Sequence, residues 1–422
     1  VTMRPVMMGL VLVAGMTAWG AASAQLLPGL PSLPAMPGIG GGLPDIPGPD
    51  TILSEVGRVS RATVARLDAA RRTAFAQLVR DHPDAIVLDP QGFPARAGEV
   101  VVDSPSEALL NAAARSGYGV IAREDVLGVG FVRLRLPPGR TLKAALDELR
   151  ALGGEVSADQ LHMPSGAGRA LAMMPLAQRG GQGTLVGVID GGVEDAAVTQ
   201  GFAAGAPRAD DHGTAVASLI AGGHGITGSL PGARIASADV YGTDPAGGNA
   251  TAIARALGWM VQQGVSVATI SLVGPANPLL ARVVAAARAR GLVIVAAVGN
   301  NGPAAPPAYP ASYPGVIAVT AVDGRNRRLI EAGQASHVDY AAPGADMLAA
   351  GVGGRRFKVR GTSFAAPLVA GRIAALYPRL DPGAIAAALA RVDASAEDLG
   401  PRGQDKFFGR GMVCGDCRTF SR

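Results

Sequence analysis

Beyond residue 180 the chain alternates short, almost wholly apolar runs with longer amphipathic ones, and no other feature of the sequence constrains the fold as much. The runs 185–189, 234–240, 267–272, 292–298 and 316–320 have the length of strands and too little polar character to face water on either side. A strand buried on both faces needs helices above and below it, which calls for a mainly parallel sheet joined by crossover connections. Between the second and third runs, Ile253, Leu257, Met260 and Val261 line one face of such a helix. The predicted architecture is α/β, and sheets of this kind carry their functional groups at the C-terminal ends of the strands.

The first 180 residues are organised differently. Behind Arg4, an apolar run from Val6 to Trp19 ends in Ala22-Ser23-Ala24, the pattern of a secretory signal peptide over 1–24. The run is shorter than the roughly 20 residues of a spanning helix, so the mature chain is expected to be periplasmic or extracellular with no membrane segment. Residues 25–51 are rich in Pro and Gly and read as a linker. The segment 52–96 reads as helical, with Leu53, Val56, Val64, Leu67, Ala70, Ala74 and Leu78 near helical spacing over 52–80. From 97 to 164 the order is strand 99–102, helix 104–116, strands 118–123 and 129–135, helix 141–152 and strand 155–163. That order predicts a small α+β, ferredoxin-like βαββαβ domain. Residues 165–180 read as a linker and 181–422 as the larger domain.

Charge and cysteine content narrow the function. The 38 Lys and Arg and 33 Asp and Glu are scattered, with a net charge of +5 and no dense basic block, so nucleic acid is not an expected partner. Cys414 and Cys417 are the only cysteines, which excludes a disulfide framework and a four-cysteine zinc site. In an oxidising compartment they are read as one local disulfide.

Three glycine-marked turns carry the chemistry. Asp190 ends the 185–189 strand ahead of Gly191-Gly192; His212 opens His212-Gly213-Thr214-Ala215-Val216-Ala217 at a helix start; Ser363 stands in Gly361-Thr362-Ser363-Phe364-Ala365-Ala366-Pro367 at another. Singly, each is as well explained as a turn residue, a structural histidine or an N-cap. Together, Asp, His and Ser in that order on a parallel α/β scaffold form one of the known chain orders of a nucleophilic triad. Residues 181–413 resemble the subtilisin-like serine proteases (subtilases). The resemblance is carried by these blocks and by Ser271-Leu272-Val273-Gly274-Pro275, Ala296-Ala297-Val298-Gly299-Asn300-Asn301-Gly302 and Tyr309-Pro310 through Val319.

The resemblance implies a subtilisin-like three-layer fold and an exported serine endopeptidase hydrolysing peptide bonds through an acyl-enzyme. In it Ser363 is the nucleophile, His212 the general base and acid, and Asp190 the residue that orients the imidazole. It further implies the Asn300 side chain in the oxyanion hole and Ser271, Leu272, Val273, Gly274, Ala297, Val298 and Gly299 as substrate walls. Tyr309-Pro310 would form a cis turn. Proteins or peptides are the implied substrates. The βαββαβ unit resembles, by element order alone, a propeptide that occupies the active site until it is cut between residues 160 and 180, making the chain's own N-terminal domain its partner. No cofactor or metal is implied, and calcium is left open.

Some positions depart from the family pattern. Gly191 stands where a hydroxyl residue is common, so Asp190 must rely on backbone donors. Val273 replaces a frequent wall glycine and narrows the pocket. Only 22 positions separate Asp190 from His212, a short interval for the family. Asp210-Asp211 reads as a solvated pair. These departures leave a competing reading, a catalytically weak or inactive binding or scaffold protein on the same fold.

Overall fold

The computed structural model describes residues 65–66, 68–173 and 183–418. The signal peptide and linker read over 1–24 and 25–51 lie outside these residues. The helical spacing read over 52–80 is realised in α1, covering 68–81. Residues 65–66 are helical as well, 52–64 and 67 lie outside the described residues, and 82–96 are turn and strand rather than helix. Asp89 accepts hydrogen bonds from the backbone N–H groups of Gln91 and Phe93, and Gly92 takes φ +83°, which turns β1 (Ile86–Leu88) back onto β2 (Pro94–Arg96).

The split βαβ unit follows as β3 (Glu99–Asp103), α2 (Glu107–Arg115), β4 (Gly119–Val126), β5 (Val129–Arg135), α3 (Leu142–Ala151) and β6 (Glu155–Ser157). Its antiparallel sheet has the order β4-β5-β3-β6. Ser106 and Thr141 cap the two helices by accepting from the N–H groups of Leu109 and Ala144. Strand alternation divides the valines of β3. Val100 and Val102 pack with Leu109, Leu146 and Leu149 of the helices, while Val101 joins Phe131, Val126 and Val129 on the opposite face. That second face shares one core with Leu257, Met260 and Val283 of the larger unit.

The single strand read over 155–163 is interrupted. After Ser157 the chain leaves the sheet because Asp159 accepts from both N–H and Oγ1 of Thr251, at the start of a helix in the larger unit. It then resumes as β7 (Met163–Pro164) and β8 (Ala167–Met173). The residues 165–180, read as a linker, are therefore strand over 167–173; the rest, from 174 to 182, lies outside the described residues.

The larger unit contains β9 (Leu185–Asp190), β10 (Val198–Gly201), α4 (Asp211–Ala221), β11 (Arg234–Asp239), α5 (Ala250–Gln262), β12 (Val267–Ile270), β13 (Leu272–Val273), α6 (Pro278–Ala289) and β14 (Val293–Ala297). It continues through β15 (Ile317–Val322), β16 (Tyr340–Pro343), β17 (Met347–Ala350), β18 (Arg355–Arg360), α7 (Thr362–Leu376) and α8 (Ile385–Ser395). Seven strands form one parallel sheet in the order β10-β11-β9-β12-β14-β15-β16. Helices α4 and α7 share a core with one face and α5 and α6 with the other, giving three layers. The sheet contains all five predicted strands. It adds the flanking β10 and β16, whose sequences Val-Thr-Gln-Gly and Tyr-Ala-Ala-Pro lack the apolar density that marks the centre. From β9 the chain winds to one side through β10 and β11, then crosses to β12 on the other. The crevice at this switch point lies between the ends of β9 and β12.

Candidate active site

Asp190 is the last residue of β9 and is almost fully buried. Its Oδ1 accepts from the Gly191 N–H at 2.8 Å and lies 2.8 Å from His212 Nδ1. The backbone thus supplies the donor that a hydroxyl at 191 would otherwise offer. Gly191 is also required sterically, since a Cβ there would stand 2.8 Å from the Asp210 Cβ. Asp210 is not half of a solvated pair. It caps α4, accepting from the N–H groups of His212 and Gly213, and burial followed by the neighbouring Asp190 charge holds its carboxyl above the usual range. Asp211 instead pairs with Arg355 at 2.6 Å.

His212 sits in the first turn of α4 with Nε2 3.1 Å from Ser363 Oγ. Burial pulls the imidazole toward the neutral form, but the Asp190 charge and hydrogen bond, helped by Asp210, outweigh it and raise the pKa above the ordinary value. The Phe364 ring packs on the imidazole with centroids 5.5 Å apart. Asp190, His212 and Ser363 are thereby joined in one hydrogen-bonded chain, an arrangement able to take a proton from the hydroxyl and hold it on a charge-stabilised imidazole.

Ser363 enters through a strained turn. Gly361 has φ +140°, and a Cβ on it would meet Asn300 Nδ2 at 2.7 Å and the Gly166 Cα at 2.8 Å. Within α7, Pro367 has no N–H to give to the carbonyl of Ser363, four residues earlier. That carbonyl accepts from Ser271 Oγ at 2.9 Å instead, which ties the segment after β12 to the helix carrying Ser363. Ser271→Ala is expected to lower unfolding stability by ~1–3 kcal/mol, because it leaves a buried acceptor unpaired. Denaturant titration would measure this, and an unchanged midpoint would refute it.

The Asn300 amide has a defined orientation, because its Oδ1 accepts from the Thr362 N–H at 3.0 Å and Nδ2 must face the other way. Nδ2 donates to the carbonyl of Ser165 at 2.5 Å, and the Ser363 N–H donates to the same oxygen at 3.0 Å. Both donors therefore converge on one backbone carbonyl of the chain itself, next to Ser363 Oγ. A Cβ built on Gly166, the following residue, would fall 2.1 Å from that Oγ. Ser363 is wholly buried.

The residues read as substrate walls divide by position. β13 pairs antiparallel with β7, Leu272 opposite Pro164 and Val273 opposite Met163, and the Ser165 N–H donates to the Ser271 carbonyl at 3.1 Å. Gly274 exchanges two backbone hydrogen bonds with Tyr309, which precedes Pro310 through a cis peptide, and a Cβ on Gly274 would fall 2.6 Å from the His162 ring. Ala297 and Val298 are buried at the end of β14, while Gly299 faces Val273 across the gap between the walls. The sequence reading missed Ser165 and Gly166, which it placed in a linker, and Tyr241, whose hydroxyl donates to the His162 carbonyl. The one signal for the first pair was a small dipeptide directly after Met163-Pro164.

Two clusters among the described residues have metal-ligand chemistry. In Glu194, Asp195 and His224 the ligand atoms lie within 4.8 Å of one another, though Glu194 Oε2 already accepts from the Gly353 N–H. In the other, Cys414 and Cys417 are bonded to each other beside Asp416, with Cα atoms 5.1 Å apart.

With this geometry in place, comparison with known proteins is informative. The subtilase family model matches residues 181–411. Over 214 residues, 48% of this chain, the sequence is 36% identical to subtilisin BL of Lederbergia lenta and 35% identical to M-protease of Shouchella clausii. The match spans 78% of the first and 56% of the second. Among solved structures, fervidolysin from Fervidobacterium pennivorans, described as a keratinolytic enzyme related to subtilisin, superposes with a TM-score of 0.63 at 21% identity. That superposition covers 76% of this chain and 61% of fervidolysin, and supports the fold. A family match over more than half of the chain, on a three-layer sheet with Asp, His and Ser at one crevice, places the chain in the subtilase family of serine-type endopeptidases.

Proposed function

We propose that this chain is an exported serine endopeptidase, made as a precursor that cuts itself between Ser165 and Gly166. The observation that carries the reading is the Ser165 carbonyl, which accepts from the Ser363 N–H and from Asn300 Nδ2 while a serine linked through His212 to Asp190 stands beside it. Ser363 Oγ attacks that carbonyl carbon as His212 Nε2 takes its proton. The oxygen becomes an oxyanion held by two donors already in place. Collapse breaks the bond to the Gly166 nitrogen, which leaves as an amine with the proton from His212. Water then releases the acyl group from Ser363 by the same sequence. No step needs a cofactor.

The N-terminal unit acts as the first substrate and then as an occupant of the groove. It is anchored by the β7–β13 pairing, by Asp159 on the start of α5 and by the Val101–Phe131 face. Export rests on the 1–24 sequence pattern, and among the described residues no helix is long and apolar enough to cross a membrane. Gly191, which motivates the scaffold reading, is accounted for by Asp210 and by its own N–H.

Hydrolysis of casein by the purified chain, with a fluorophosphonate adduct on the Ser363 peptide, tests the reading. An unlabelled, inert protein in which 162–165 has been displaced would sink it. Asn300→Ala is expected to lower kcat ~10²- to 10³-fold with a small change in KM, a magnitude taken from subtilisin itself. Steady-state kinetics would check it, and an effect confined to KM would assign Asn300 to binding instead.

A further inference from the structure

The groove in this structure holds a segment of its own chain, and the fit between them bears on which peptides the enzyme accepts. Ser165, the residue before the cleaved bond, is held on the Ser271–Gly274 segment, since its N–H and its Oγ both donate to the Ser271 carbonyl, and the segment ending at Gly299 faces Val273 of that same wall. Val273 belongs to the first wall and closes on the second. Its Cγ1 lies 3.2 Å and its Cγ2 3.5 Å from the place of a Cβ on Gly299, so the isopropyl group bridges the gap. Val273 is 9% exposed and Ser165 3%, so both are packed away from solvent. Ser165 fits because its side chain is short, and its Oγ turns back to donate to the Ser271 carbonyl at 3.0 Å. A longer side chain entering here must push the Val273 isopropyl group from its packed position, and overpacking of this kind is costly.

We propose that Val273 sets the primary specificity of this enzyme, restricting the residue on the acyl side of the cleaved bond to glycine, alanine or serine within an extended peptide. Two independent observations converge on this restriction, the closed gap and the small residue that the chain itself places there. The preceding Met163-Pro164 pairs with β13 through the backbone, so an extended strand with proline next to the cleaved residue suits the groove. The inference rests on the peptidase reading, with Ser165 as the acyl-side residue.

The test uses the full chain after self-processing and displacement of residues 162–165 from the groove, with succinyl-Ala-Ala-Pro-Ala-p-nitroanilide and its Phe counterpart as probes. Wild type is expected to favour the Ala substrate in kcat/KM by ~10²-fold, in the range by which a hydrophobic pocket discriminates by size. Val273→Gly is expected to raise the Phe-to-Ala ratio at least ~30-fold, with Val273→Ala in between. A second readout is internal. Ser165→Phe is expected to slow precursor cleavage, followed by intact mass, and Val273→Gly in the same chain to restore it. Equal turnover of both probes by wild type, an unchanged ratio in the variants, or no rescue of Ser165→Phe would overturn the assignment. Turnover of neither probe together with no fluorophosphonate adduct on Ser363 would overturn the peptidase reading itself, and Val273's role with it.

Discussion

Ser363→Ala is expected to leave the precursor whole. Wild type should yield a fragment beginning at Gly166, and the variant a single chain whose intact mass shows no cut at Ser165–Gly166. The effect is large because the Ser363 oxygen forms the new bond to carbon, and no neighbouring group is placed to replace it. Among the described residues its one side-chain partner is His212 Nε2. In subtilisin itself, loss of the corresponding serine costs ~2 × 10⁶ in kcat, and a fall of that order is expected here on any peptide substrate. Stability should hardly change, because the alanine keeps the helix and both oxyanion donors are backbone or Asn300 groups. A thermal midpoint close to wild type, measured beside the intact mass, separates lost chemistry from lost folding. Cleavage of the folded variant at the same bond, at a rate independent of protein concentration, would refute the role of Ser363.

Asp190→Asn should be nearly as damaging, although it preserves volume. Oδ1 of Asp190 accepts from the Gly191 N–H and faces His212 Nδ1, while Oδ2 has no hydrogen-bond partner among the described residues. An asparagine keeps one acceptor but must either turn its NH₂ toward His212, favouring the wrong tautomer, or bury that NH₂ unpaired. It also removes the negative charge that stabilises the imidazolium. The analogous change in a chymotrypsin-type triad lowers kcat ~10⁴-fold, and a loss of that order is expected.

The pH profile gives a second, directional readout. Asp190 is the main group holding the His212 pKa above its ordinary value, and the neutral imidazole is the form that accepts the proton. Wild-type kcat/KM should therefore fall as pH drops through that raised value. In Asp190→Asn the acid limb should move to lower pH, since the variant imidazole stays neutral further into acid. A purely structural loss would scale the profile without moving it, and an unmoved limb would count against the assigned role.

Much of this site was legible before folding was considered. The dense apolar runs announced the central strands, and Asp190, His212 and Ser363 each stood at a glycine-marked turn where a parallel sheet exposes its functional ends. What escaped notice had weak local signals. β10 lies at an edge of the sheet and is partly exposed, which removes the need for continuous apolar sequence, whereas β16 is buried but its Tyr-Ala-Ala-Pro run is short and has no β-branched residue to mark it as a strand. Asp210 looked like a surface charge because its place at the start of α4 depends on a long-range bond, from its own N–H to the Gly192 carbonyl, that the local sequence does not show. Gly191 looked like a defect until the position of Asp210 showed that no larger residue fits.

The sequence alone determined the layer architecture and the identity of the reacting groups, because hydrophobic periodicity and residue chemistry are local properties read along a few consecutive positions. Tertiary structure decided what those groups act upon. Ser165 is 106 positions from Ser271, 135 from Asn300 and 198 from Ser363, and only the folded chain brings its carbonyl under two donors and its side chain against the wall that Val273 closes. Such convergence arises from the crossing of distant backbones, and no spacing within the sequence encodes it.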